Sequence, residues 1–259
     1  MATRTDLLSL HEELYVEIRA AEDWHDSYKK HPDIFRALVM LEGSLQTAVA
    51  EYLKGASNRA DSFVDWTVLK ADSGVPNASD EVWDEERRLL TVAVLELVTQ
   101  MTGLGVEHGS AESAMGEDVD SLWDAVMKAA REQVAQFVRG ATDTTRKLIR
   151  ESVAQSIALG EDRRDATERL MKVIDNPMRA MTIAQTEPVN AFQGGYNLYA
   201  KKTGAVSKEW DGLAGACQIC SPLIGTTVDI DEKFILSNGK EIDYPAGHPR
   251  CRCSLIYNY

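Results

Sequence analysis

All four cysteines of this 259-residue chain lie within its last 43 residues, and they fall in two short clusters. Cys217-Gln-Ile-Cys220 is the first; His248-Pro249-Arg250-Cys251-Arg252-Cys253 is the second. A C-x₂-C turn aims two sulfurs at one point, and thiolate with imidazole is the donor set of a tetrahedral Zn²⁺ site. Few large apolar groups occupy this tail, so its own core is a weak source of stability and an ion is a strong one. The readings are a structural metal, disulfides or free structural thiols, and a catalytic thiol or metal. Five soft donors more than fill a tetrahedral shell and leave no open position for water, which disfavours the catalytic reading. Cys217, Cys220, His248, Cys251 and Cys253 are the candidate ligands. Cys251 and Cys253 are two apart, and His248 stands in position to replace either, so Cys₄ and Cys₃His both remain open.

The rest of the chain reads as helical. Hydrophobic residues make up 44% of it, and apolar residues recur at i, i+3 and i+4 in several stretches. Helices are expected over about 6–28, 33–53 and 80–101. Residues 103–118, with four glycines, two serines and several acids, read as an exposed loop. A long helix begins near Asp120 and is interrupted at Gly140, as one kinked helix or two, with Gly160 as its stop. Arg163–Ile174 is a short helix. Another starts at Asn176-Pro177, with a kink or restart expected at Pro188.

From about residue 205 the pattern shortens into extended segments at 206–210, 226–230, 233–236 and 240–242. Asn238-Gly239 between the last two suits a type I′ hairpin turn. The fold class is therefore mainly α, bundle-like, with a small C-terminal β-hairpin module of zinc type, α+β overall. Three regions are expected: 1–119, acidic and helical; 120–204, helical; 205–259, β-rich with the cysteines.

The net charge of −13 is concentrated at the front. Residues 1–160 hold 28 acidic and 16 basic side chains; residues 161–259 hold 13 and 12. An acidic front half argues against broad contact with duplex DNA, whose phosphates are met by Lys and Arg. It suits a soluble, self-repelling surface or a docking face for a basic partner. The polar start lacks the apolar core of an export signal, and no run of some 20 apolar residues is present, so neither secretion nor a membrane span is expected.

Other candidate positions are weaker. Glu187 and Asn190 share a helical face with Thr186 nearby; a polar site facing the cysteine module competes with helix–helix hydrogen bonding, and the second is favoured. Asp211 reads as a turn cap, or as a hydrogen-bond partner to a metal ligand. His11, His25, His31 and His108 show no ligand spacing and read as surface residues. Trp24, Trp66, Trp83 and Trp123 read as core or interface. No nucleotide-binding, hydrolase-elbow or metalloprotease motif is present.

Taken in order, Thr144-Thr145, Gly160, the run from Arg179 to Glu187, Asn190, Tyr196, Trp210-Asp211, the C-x₂-C pair, Leu223-x-Gly225, Pro245 and HPRCRC resemble the phage Mu F-like minor head proteins, also called the phage head morphogenesis family. The resemblance covers about residues 125–257. The chain departs from the family pattern at Gln185, where Arg is usual, and at Ala216, where an acid usually precedes the first cysteine. The resemblance implies a low-copy, non-enzymatic minor capsid protein of a tailed phage or prophage, inside the virion head after assembly in the host cytoplasm. It implies portal protein as partner, with scaffold or major capsid protein as further candidates; DNA contact is not supported by the charge. The alternative is a Cys/His hydrolase, a head-processing protease or toxin-like enzyme using Cys251 or Cys253 with His248, though no further domain is expected to host it.

Overall fold

The computed structural model describes residues 24–66, 79–113, 119–212 and 216–259. The expected helix over 6–28 and the break near residues 74–79 therefore fall mainly outside the described residues. Six helices are described: α1 (Asp26–Lys29), α2 (Pro32–Asn58), α3 (Asp80–Glu112), α4 (Trp123–Leu159), α5 (Arg163–Ile174) and α6 (Pro177–Lys202). Five short strands follow: β1 (Ser207–Asp211), β2 (Thr227–Asp229), β3 (Phe234–Ile235), β4 (Glu241–Ile242) and β5 (Ser254–Asn258). The chain is mainly helical with a small C-terminal sheet, as its periodicity implies.

The helices divide between two compact units. One comprises Leu45–Glu96 and Glu132–Ile183. Its core gathers Ala56, Phe63, Trp83, Ile149, Val153, Leu170 and Ile174. Phe63 stacks on Trp83 with ring centroids 5.1 Å apart. α5 begins where Asp162 accepts the N–H of Asp165 at 2.9 Å, which satisfies one orphan donor of the first turn. α4 runs unbroken through Gly140, and nothing lies within 4 Å of where a Cβ there would sit. Of the two alternatives left open at Gly140, one helix or two, there is one: glycine costs helix propensity, but the apolar stripe on both sides holds the helix together.

The other unit comprises Met1–Ser44, Leu97–Arg131 and Ala184–Tyr259. Here α3 continues to Glu112, so most of the loop expected over 103–118 is helix. The glycines have a packing reason. A Cβ on Gly105 would overlap the Phe192 carbonyl, and one on Gly195 would overlap the Thr102 carbonyl. Glycine on both α3 and α6 thus lets two backbones touch, an interhelical requirement that a local turn signal mimics. α6 also continues through Pro188, so of the kink or restart expected there the restart does not occur. α3 is long and apolar enough to cross a membrane, with a mean hydropathy of 1.6 over its most apolar window. Val98, Met101 and Val106 on it are buried inside the protein.

β1 is central in a three-stranded antiparallel sheet of order β2-β1-β5. Trp210 faces Leu255 in the register, and both are buried on one side with Lys208 and Tyr257. β3 and β4 form the expected hairpin, Phe234 opposite Ile242. Its turn is not type I′. Gly239 alone has a positive φ, 81°, and its N–H bonds the Leu236 carbonyl at 2.8 Å. That is the three-residue loop with a left-handed glycine, which needs one positive φ where type I′ needs two. β5 had no counterpart among the expected extended segments.

Candidate metal centre

The first cluster is a tight turn. The N–H groups of Cys220 and Ser221 bond the Cys217 carbonyl at 3.1 and 2.8 Å, which folds the two sulfurs toward each other. The second cluster turns at Arg250, whose φ of 61° lies in the left-handed region. After it the Cys251 and Cys253 sulfurs lie within 4.8 Å of each other and of Cys220, and Arg252 between them turns to Glu42. Cys251 and Cys253 therefore point one way and Arg252 the other, which resolves how two thiols only two positions apart reach one centre.

The clusters meet. Cys217 Sγ lies 3.1 Å from His248 Nε2, and Cys220 Sγ lies 3.8 Å from Cys251 Sγ. Cys217, Cys220 and His248 form one group with donor atoms within 4.8 Å of one another; Cys220, Cys251 and Cys253 form a second. All four cysteines are free of disulfide bonds. Tetrahedral Zn–S bonds of ~2.3 Å place two sulfurs ~3.8 Å apart, so the Cys220–Cys251 spacing suits a shared ion. Cys220, Cys251 and Cys253 are buried, His248 is half-buried and Cys217 is exposed. Three buried thiols with an imidazole at the rim fit a soft cation, and the cluster could hold a metal.

The donors perturb one another. The Cys220 thiol, then that of Cys253, holds the Cys251 thiol far below the ordinary range, while Cys220 is driven up. His248 is raised to about 9, first by its hydrogen bond with Cys251. Burial works to raise Cys217, but the backbone N–H groups of Cys220 and Ile219 and the nearby His248 outweigh it and lower it. Negative sulfur and positive imidazole in one cluster form a site whose protons a cation would displace.

The helices grip this tail through polar contacts. Arg250 N–H donates to Thr186 Oγ1 at 3.0 Å, and Ala246 N–H donates to Asn190 Oδ1 at 2.8 Å. Asn190 Nδ2 donates to Glu187 at 3.3 Å. Thr186 and Asn190 thus hold the turn that carries His248 and Cys251, and Glu187 bonds Asn190 on the same helix. The Asp211 carboxylate lies 3.2 Å from His25 Nε2. Of the histidines expected at the surface, His25 and His31 are half-buried, and His11 lies outside the described residues. His108 is buried, and its ring lies 5.1 Å from that of His31.

Sequence reasoning missed the strongest grip. Arg252 donates to Glu42 at 2.8 Å, both buried, and its guanidinium stacks on Trp24 at 3.6 Å. Tyr28 donates its hydroxyl to the Cys253 carbonyl at 2.8 Å, and Gln193 donates to that same hydroxyl at 2.8 Å. The one available signal was Arg252 itself, a charge between two cysteines that periodicity would bury.

Geometry and fold together define a helical protein with a C-terminal Cys/His knuckle module seated on its helices. Residues 147–256 match the family model for phage Mu protein F like protein, so this part of the chain is similar to that family. The match opens within α4, later than residue 125, and closes within β5. Trp24, Tyr28 and Glu42 all precede it. No curated protein and no solved structure matches the chain.

Proposed function

We propose that this chain is a minor head protein of a tailed phage or prophage, low in copy, bound at the portal, with a structural Zn²⁺ in the Cys/His cluster. The observation that carries the reading is that all five soft donors converge at one place inside the phage Mu F-like stretch. In this reading Cys220, Cys251 and Cys253 seat the ion, and Cys217 or His248 closes its shell. Thr186, Asn190 and Arg252 orient the loop that presents the donors. The ion clamps the tail and takes no part in turnover. The virion interior is the final location, and the acidic helical front docks on portal, scaffold or major capsid protein.

The test is co-expression of the full chain with the portal protein encoded beside it, followed by metal analysis of the purified complex. Co-elution with one zinc per chain is the expected result. A metal-free chain with an ordered tail overturns the structural metal, and failure to co-elute overturns the portal partnership.

One observation favours the hydrolase alternative: exposed Cys217 stands 3.1 Å from His248. Cys251 and Cys253, the nucleophiles that alternative named, are 1% and 3% exposed and out of a substrate's reach. Iodoacetamide separates the readings, because a zinc-bound Cys217 resists alkylation and a nucleophilic one reacts first.

A further inference from the structure

A second constellation lies apart from the cysteines. Ser27 Oγ is 2.9 Å from His25 Nδ1, and His25 Nε2 is 3.2 Å from Asp211 Oδ1. A carboxylate only accepts, so the ring proton sits on Nε2 and the Nδ1 lone pair faces the serine hydroxyl. That is the electronic arrangement of an activated serine: base on the nucleophile, carboxylate fixing the tautomer of the base.

The bland explanation accounts for half of it. His25 is the N-cap of α1 and accepts the Ser27 N–H at 3.2 Å. Capping needs no carboxylate, yet β1 delivers Asp211 to the far side of the ring. Capping also needs no cavity, yet Ser27 and Asp211 both line one of about 350 Å³. Its walls include Tyr196, Leu255 and Tyr257, with Lys30 at one side held by Glu112 at 2.5 Å. Aromatic and aliphatic walls with a reactive group at one end suit a small acyl chain.

We propose that Ser27, His25 and Asp211 form a second, independent site that hydrolyses small carboxylic esters. Ser27 Oγ bonds to the acyl carbon as His25 Nδ1 takes the hydroxyl proton. The bond from that carbon to the leaving oxygen breaks, and the proton passes from His25 to the departing alcohol. Water then adds to the acyl carbon with His25 again as base. The bond to Ser27 Oγ breaks, and the carboxylic acid and a reprotonated serine result. Asp211 is a positioning residue that holds the ring.

The test uses the full, zinc-loaded chain and an alkyl fluorophosphonate, with intact-mass and peptide-map readout. The expected result is one adduct per chain, on the peptide bearing Ser27, and none in Ser27→Ala. His25→Asn keeps a good cap but removes the base, so its thermal midpoint stays while labelling slows about 100-fold or more. Asp211→Asn slows labelling with no loss of helix. Absence of the Ser27 adduct overturns the proposal, as does equal labelling of His25→Asn. Should that variant fail to fold, the rate at Ser27 in the native chain against the urea-unfolded chain decides; activation requires an excess of about 100-fold.

Discussion

The two units differ in how far their buried polar groups reach for a partner. In the unit containing Trp83 and Ile149, most buried hydroxyls bond back into their own helix: Ser57 to Lys54, Thr142 to Val138, Thr145 to Ala141. Its pairs Arg163–Asp61 and Arg169–Glu161 sit toward the outside of an apolar core, and Glu86 is buried against Arg59. The unit containing the cysteines buries Glu42, His108, Gln193, Lys208 and Arg252, and several of these join segments far apart in sequence. Local bonds make a scaffold that folds on hydrocarbon burial. Long-range buried polar bonds make a unit that is stable only when every partner is in place, and that specify one arrangement. The candidate chemistry lies in the second kind.

Removing the proposed ion should break this contrast most severely. Cys220→Ser or Cys251→Ser is expected to abolish stoichiometric zinc and unfold the tail. Structural zinc supplies ~10–16 kcal/mol of apparent binding energy in small modules. Zinc content and hydrogen exchange across residues 205–259 read the loss. Protection of residues 132–183 that survives unchanged would confirm that the apolar unit stands without the ion.

Glu42→Ala leaves the Arg252 guanidinium buried without its carboxylate. A cost of about 3–5 kcal/mol is expected in urea unfolding. The pair Glu42→Leu with Arg252→Met should recover most of it, since an apolar replacement removes both desolvation penalties. Failure to recover would locate the value of Arg252 in its stacking on Trp24.

A smaller effect separates the units by pH. Burial pushes the His108 pKa down to about 4, with His31 and Lys30 adding to it and Glu112 opposing. Below pH ~6.5 the unfolded chain takes up a proton that the folded chain refuses. Stability should therefore be level above that pH and fall by roughly 3 kcal/mol between pH 6.5 and 4. His108→Leu should flatten that fall, read as the urea midpoint at several pH values.

Two glycine substitutions complete the series. Gly105→Ala drives a methyl into the Phe192 carbonyl and should cost about 1–3 kcal/mol. Gly140→Ala meets open space inside a helix and should stabilise by about 0.5–1 kcal/mol. Thermal midpoints moving in opposite directions would show that one glycine serves contact and the other serves nothing local.

Periodicity reports which face of a helix is apolar, so α2, α4, α5 and α6 were legible to within a few residues, and α5 to its ends. Composition misled where one residue type serves two purposes. The glycines of 103–109 are loop formers in isolation and spacers when α6 lies against them. His31 and His108 showed no spacing because the groups they meet come from other elements. Arg252 was readable as a residue and unreadable as a contact, because Glu42 and Trp24 lie some 200 residues away.

The amino-acid order alone determined that the chain is helical, that a hairpin lies between the cysteine clusters, and which five donors are available to a soft ion. Those are properties of short windows: side-chain period, turn preference and donor chemistry act over a few bonds. Tertiary structure decided the meeting of the clusters, the seating of Arg252 on Glu42, and the gathering of His25, Ser27 and Asp211 at a cavity. Distances through space between residues far apart in the chain depend on how the elements pack, and local preference does not encode that packing.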